Sequence, residues 1–133
     1  MEKKEVKNIY GKLMEARIRL QEKNLKKSGR NKFSGFSYYE LADFLPEINK
    51  IFMDLRLYSM FSIQEKVATL AIINEENPNE NVVYHSPVGD VELKGCTAIQ
   101  GLGAAYTYMK RYLYMNALEI VENDALDAQA GQL

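Results

Sequence analysis

Residues 99–127 read IQGLGAAYTYMKRYLYMNALEIVENDALD, and the periodicity of this stretch decides how the rest of the chain is arranged. Ile99, Leu102, Tyr106, Met109, Leu113, Ala117 and Ile120 recur at steps of three and four, the spacing of one buried face of an α-helix. Gln100, Gly103, Thr107, Arg111 and Tyr114 recur in the same way on another face, which offers hydrogen bonds, a cation and a ring. The segment from Gln100 to Asn116 would be roughly 25 Å long at about 1.5 Å per residue. The periodicity predicts a long helix over 98–120 with one face in the core and one face in solvent.

A chain of 133 residues is the length of one domain, large enough to bury a core. With 47% hydrophobic and 26% charged residues it has the composition of an ordinary soluble globular protein. No apolar run approaches the ~20 residues of a membrane-spanning helix. The opening MEKKEVKN has no hydrophobic signal segment, so a cytoplasmic location is expected. The single cysteine, Cys96, excludes an internal disulfide and a thiolate metal cluster.

Net charge is −1, yet the charges are unevenly placed. Residues 1–32 carry 11 of the 17 Lys and Arg against four acids, a net of +7, and the remainder carries 6 basic and 14 acidic residues, a net of −8. Such asymmetry points to an electrostatic partner; a solvated, Lys-rich helix surface accounts for it equally well.

Residues 5–25 have a helical pattern, with Val6, Ile9, Leu13, Ala16 and Leu20 on one narrow side. Next comes LKKSGRNKFSGFSYYE, whose Gly, Ser and Asn predict a loop over 26–37. It brings Lys26, Lys27, Arg30 and Lys32 next to Phe33, Phe36, Tyr38 and Tyr39. Cations interleaved with rings suit single-stranded nucleic acid, where phosphates need charge and bases offer faces for stacking. The alternative is a basic connector anchored by its aromatics.

Ser37 and Glu40 have capping-box spacing for a helix over 38–56, and Pro46 should kink it or start a second helix capped by Asp43. Over 58–94 the period shortens. YSMFSIQ and VATLAII flank Glu65-Lys66 as a tight hairpin, NVVYHS follows as a third strand, and VELK forms a short fourth. The fold class expected is α+β: an antiparallel meander of three to four strands packed against the long C-terminal helix, with helices at the N-terminus. Residues 1–128 would form one core domain and 129–133 a tail.

The sequence has no GxxxxGK[ST] phosphate loop, and QGLGAAYTY lacks the GxGxxG spacing of a dinucleotide site. His85, the one histidine, has no partner at metal-ligand spacing, and no Ser or Cys nucleophile has a matched base. Glu119, Glu122, Asp124 and Asp127 could gather a divalent ion; a solvated acidic helix end is the plainer reading. Catalysis, a cofactor and a metal site are therefore not expected. The remaining signature is one of binding, and the polar face of the long helix is expected to lie along a single strand of nucleic acid.

KKSGRNKFSGFSYYELADFLPEI, followed by IQGLGAAYTYMKRYLYMNALEIVENDALDA, closely resembles the phage essential recombination function (ERF) family of single-strand annealing proteins. The similarity runs from about residue 20 to 128. Its most specific part is a small-residue run leading into Thr107, Tyr108, Arg111 and Tyr112, with an acidic DxxDA at Asp124–Ala128. Lys110 keeps the second positive charge that many relatives carry before that arginine. The resemblance implies a fold like the eukaryotic annealing ring proteins and homo-oligomeric rings or helical arcs. It also implies a groove for single-stranded DNA and annealing without nucleotide hydrolysis in phage recombination. Relatives often carry an additional C-terminal region for partner contacts, so a host single-strand-binding protein is a further implied partner.

Annealing needs strands held by their backbones, and phosphate contacts position without reading sequence. Arg111 and Lys110 are the first candidates for phosphate contact and Lys32 and Arg30 the next; Tyr108 and Tyr38 are candidates for packing on sugar or base, or for the core. Thr107 and Gln100 complete the set on the polar face. The basic N-terminal helix or an exposed edge strand is the expected subunit interface.

Overall fold

The computed structural model describes residues 6–89 and 98–122, with side chains from Gly101 onward in the second segment. The expected VELK strand, the acids Asp124 and Asp127, Cys96 and the 129–133 tail lie outside the described residues. In chain order the elements are α1 (Ile9–Gln21), β1 (Gly29–Arg30), β2 (Ser37–Tyr38), α2 (Leu41–Leu55), β3 (Leu57–Gln64), β4 (Val67–Asn74), β5 (Asn81–Pro87) and α3 (Ala98–Ala117). The class is α+β, with a two-stranded sheet β1–β2 and a three-stranded sheet β3–β4–β5, both antiparallel.

α1 begins at Ile9 because the Asn8 carboxamide accepts the Gly11 amide at 3.0 Å. Val6, expected inside the buried stripe, precedes the helix and is exposed. Ile9, Leu13, Ala16 and Leu20 are buried, and so is Lys12. Lys12 Nζ donates to Asn74 Oδ1 at 2.7 Å and to Glu76 Oε1 at 2.5 Å, which satisfies a cation that would otherwise be costly to bury. Glu80 accepts from the Asn74 amide group and from the backbone of Ile9, so a polar cluster ties the start of α1 to the β4–β5 connection.

α2 starts one turn later than the Ser37–Glu40 spacing suggests. Its N-cap is Glu40, and the Asp43 carboxylate accepts the Glu40 amide at 2.8 Å. Asp43 is therefore the third helical residue, not the cap of a second helix. The helix runs continuously through Pro46 to Leu55, burying Phe44, Ile48, Ile51 and Phe52.

The sheet alternates with period two. Ala68, Leu70, Ile72 and Asn74 face the helices, and Tyr58, Met60 and Val83 face outward and are exposed. Glu65 and Lys66 form the two-residue turn with φ of 50° and 61°, the left-handed pair that matches strand twist.

α3 lies against β4, β5 and α2. Its buried line is Ala105, Met109, Leu113 and Ala117, joined by Tyr114, Met115 and Leu118. Leu102 and Tyr106, expected in the core, are exposed. Steps of four throughout, not a mixture of three and four, follow one of the ridges along which a helix packs. Tyr114, expected on the wet face, is buried with its hydroxyl 2.7 Å from Ser59 Oγ, and burial pushes its phenol above the ordinary value against the pull of that bond. The helix closes at Glu119, whose φ is 53°: the Glu119 amide donates to Asn116 and the Ile120 amide to Met115 at 2.8 Å. α3 has no cation in its last turn, and Arg17 of α1 supplies one, with Nε 2.9 Å from the Ala117 carbonyl and Nη1 3.2 Å from Glu119.

Candidate nucleic-acid interface

The loop expected over 26–37 closes into a short hairpin, with Gly29 opposite Tyr38 and Arg30 opposite Ser37. Asn31 turns it: its carboxamide accepts the amides of Phe33 and Ser34, and Gly35 takes a φ of 74°. The Tyr38 ring lies on Gly29 so closely that a methyl group there would run into it. The hairpin is pinned to α2 by Asp43, which accepts the Ser28 amide at 2.9 Å and the Ser28 hydroxyl at 2.8 Å.

This hairpin, the first turns of α2 and the outward side of α3 enclose a groove of about 1300 Å³. Phe36, Tyr38, Leu41, Leu45 and Pro46 line one wall, and Gly103, Ala104, Thr107, Tyr108 and Arg111 the other. Pro46 brings no amide to the Ala42 carbonyl, and both residues line this wall. Gly103 and Ala104 keep the N-terminal half of α3 low, so a ligand can approach the helix backbone.

Of the residues chosen from sequence, Tyr38, Thr107, Tyr108 and Arg111 meet in this groove although about 70 positions separate the first from the others. Gln100 lies in the first turn of α3, its side chain outside the description. Lys110 is half-buried beside the groove without lining it, and Arg30 and Lys32 are exposed on the hairpin. The walls are thus more apolar than a phosphate rail requires, with cations at the margin.

Arg111 is already engaged. Its Nη2 lies 2.8 Å from both carboxylate oxygens of Glu122, its Nε donates to the Tyr39 carbonyl, and its guanidinium sits 5.1 Å from the centre of the Tyr38 ring. The Tyr39 amide donates to Glu122 Oε2 at 3.0 Å, and Lys27 donates to the Glu122 carbonyl while lying over the Tyr39 ring. Glu122 is therefore a member of the site and not part of a solvated acidic end, and Glu119 pairs with Arg17. The sequence marks Lys27 only as one of the loop cations and Glu122 only as one of the terminal acids; their link to Arg111, like the α2 wall, is not legible there because it arises through tertiary packing. The aromatic run at Phe36, Tyr38 and Tyr39 was the available signal.

Tyr108 and Tyr112 project from α3 one turn apart, their rings nearly parallel at 6.4 Å, and both are exposed. Tyr108 lines the groove and Tyr112 stacks beside it outside the lining, so the pair offers a face to a planar ligand. The basic surplus of the N-terminal region is partly spent inside the molecule: Lys12, Arg17, Arg19 and Lys7 pair with Glu76, Glu119, Asp54 and Glu15. Lys23, Lys26, Arg30, Lys32 and Lys110 make no ion pair among the described residues. Among the described residues no group of three or more His, Cys, Asp or Glu could hold a metal ion, and no helix is long and apolar enough to cross a membrane.

A family model described as the ERF superfamily matches residues 9–132, nearly the whole chain. No curated protein and no solved structure matches.

Proposed function

Since the chain belongs to the ERF superfamily, we propose that it binds single-stranded DNA in the groove between the hairpin and α3 and anneals complementary strands in phage recombination. It does so without nucleotide hydrolysis and without catalysis of a covalent step. The observation that carries this reading is the meeting of Thr107, Tyr108 and Arg111 with Phe36 and Tyr38 across one open groove. Rings there offer stacking to any base, and the cations of the 23–32 segment with Lys110 at its side offer phosphate contacts that read no sequence.

Annealing favours repetition, because weak contacts per subunit multiply when one strand spans several. β3 and β5 are each paired on one side only among the described residues, and Tyr58, Met60 and Val83 lie bare on the outer sheet face. Both features support assembly into rings or helical arcs. Contact with a host single-strand-binding protein is the remaining part of the proposal and rests on the family alone.

The test is strand pairing followed by fluorescence with two complementary oligonucleotides and no nucleoside triphosphate. Faster pairing with the protein supports annealing. Binding that slows pairing makes it a passive single-strand-binding module, and the lack of any salt-dependent DNA affinity leaves an oligomeric scaffold.

A further inference from the structure

The Glu122 carboxylate occupies the place an anionic ligand of the groove would take. Three donors from separate parts of the fold converge on this residue: Arg111 at 2.8 Å from both carboxylate oxygens, the Tyr39 amide at 3.0 Å from one of them, and Lys27 on its carbonyl. A planar guanidinium held over a ring beside a backbone N–H is a donor set suited to a phosphodiester as much as to a carboxylate. Each ligand presents two oxygens that share one negative charge. Glu122 and Arg111 both line the groove.

The segment that carries Glu122 is built to leave. α3 is closed before it, by the Glu119 and Ile120 amides and by Arg17, so the helix end does not depend on Glu122. Val121 is 71% exposed and adds little to the core. Among the described residues, the segment's hold beyond Ile120 is the polar contacts of Glu122 itself.

We infer that Arg111 and the Tyr39 amide form a phosphodiester subsite and that residues 121–122 are an internal strap, Glu122 standing in for the phosphate until a DNA strand displaces it. This rests on the groove being the single-strand site. It gives the molecule a threshold: apparent affinity is lowered by the fraction of molecules with the strap closed. A strand spanning several protomers overcomes the strap more readily than a single nucleotide does.

The experiment compares the full chain with Glu122→Gln for binding of a fluorescent oligo-dT by anisotropy. Glu122→Gln should bind about three- to tenfold more tightly, since a neutral amide competes less well for the guanidinium, and the gain should vanish in Arg111→Ala/Glu122→Gln. A wild type that binds and a folded Glu122→Gln that gains nothing overturns the strap and leaves the groove standing. If neither binds oligo-dT, the groove reading falls and the strap with it. An independent readout uses the unaltered protein: glutamyl endopeptidase should cut after Glu122 faster when oligo-dT saturates it, and unchanged or slower cutting overturns the inference.

Discussion

Tyr108 is the residue at which the groove can be tested without disturbing the fold, because it is 59% exposed and lines the groove rather than the core. Loss of one stacking face is worth about 1–3 kcal/mol per base. Tyr108→Ala should therefore weaken oligo-dT binding by roughly 5- to 150-fold while thermal unfolding stays where it was; unchanged affinity by anisotropy would remove this ring from the site. Arg111→Ala is a poorer probe, since it frees Glu122 and unpairs the Tyr39 carbonyl at the same time. Gly29→Ala tests the platform beneath Arg111: the Tyr38 ring must move, so the substitution should weaken oligo-dT binding by anisotropy even though Gly29 itself does not line the groove. The β3–β4 turn supplies a stability control away from the groove. Glu65 and Lys66 both adopt positive φ, which Asn and Gly tolerate better. Glu65→Asn/Lys66→Gly should raise stability by about 1 kcal/mol, read as a higher urea midpoint, with oligo-dT affinity unmoved.

Elements show where sequence legibility ends. Alternation around Glu65-Lys66 marks β3, β4 and β5 within a residue or two of their bounds, because a half-buried strand repeats every two residues. The helices are visible but their faces are not: Leu102 looks like core and lies in solvent, and Tyr114 looks wet and is buried, since small shifts in packing angle rotate a helical stripe. The hairpin at 29–38 has too few residues to show a period, and its form depends on Asn31 and on Asp43 beyond it. That dependence is testable by pH. Burial opposes ionisation of Asp43, but the bonds from Ser28 and the Glu40 amide outweigh it and hold its carboxyl below the ordinary value. An unfolded carboxyl titrates near about pH 3.9, so the stabilisation is complete above that and is lost as pH falls through the lower folded value. Asp43→Asn should accordingly melt at a lower temperature than wild type near neutrality, with the gap narrowing as pH falls below about 3.9. A gap that stayed constant with pH would show that the ionised carboxylate does not pin the hairpin.

Over the whole molecule, formal charge misleads in both directions. The net of −1 hides a basic N-terminal region, and the +7 of that region overstates what a ligand can meet. Lys7, Lys12, Arg17 and Arg19 are tied to acids of the same chain, so among the described residues the cations left for phosphate run along 23–32 and at Lys110. Each phosphate neutralised on a single strand contributes about −0.7 to the slope of log affinity against log salt. With Lys23, Lys26, Arg30, Lys32 and Lys110 as the set without an ion pair among the described residues, the slope per protomer should lie between about −2 and −4. It should not approach the value near −8 that all eleven basic residues of 1–32 would give at about 0.7 each. Arg30→Ala/Lys32→Ala should lower its magnitude by about 1.4 and leave the stability curve unchanged, as both side chains are exposed on the hairpin. A salt titration of oligo-dT anisotropy on the two proteins decides this, and equal slopes would place the phosphate path on another face of the molecule.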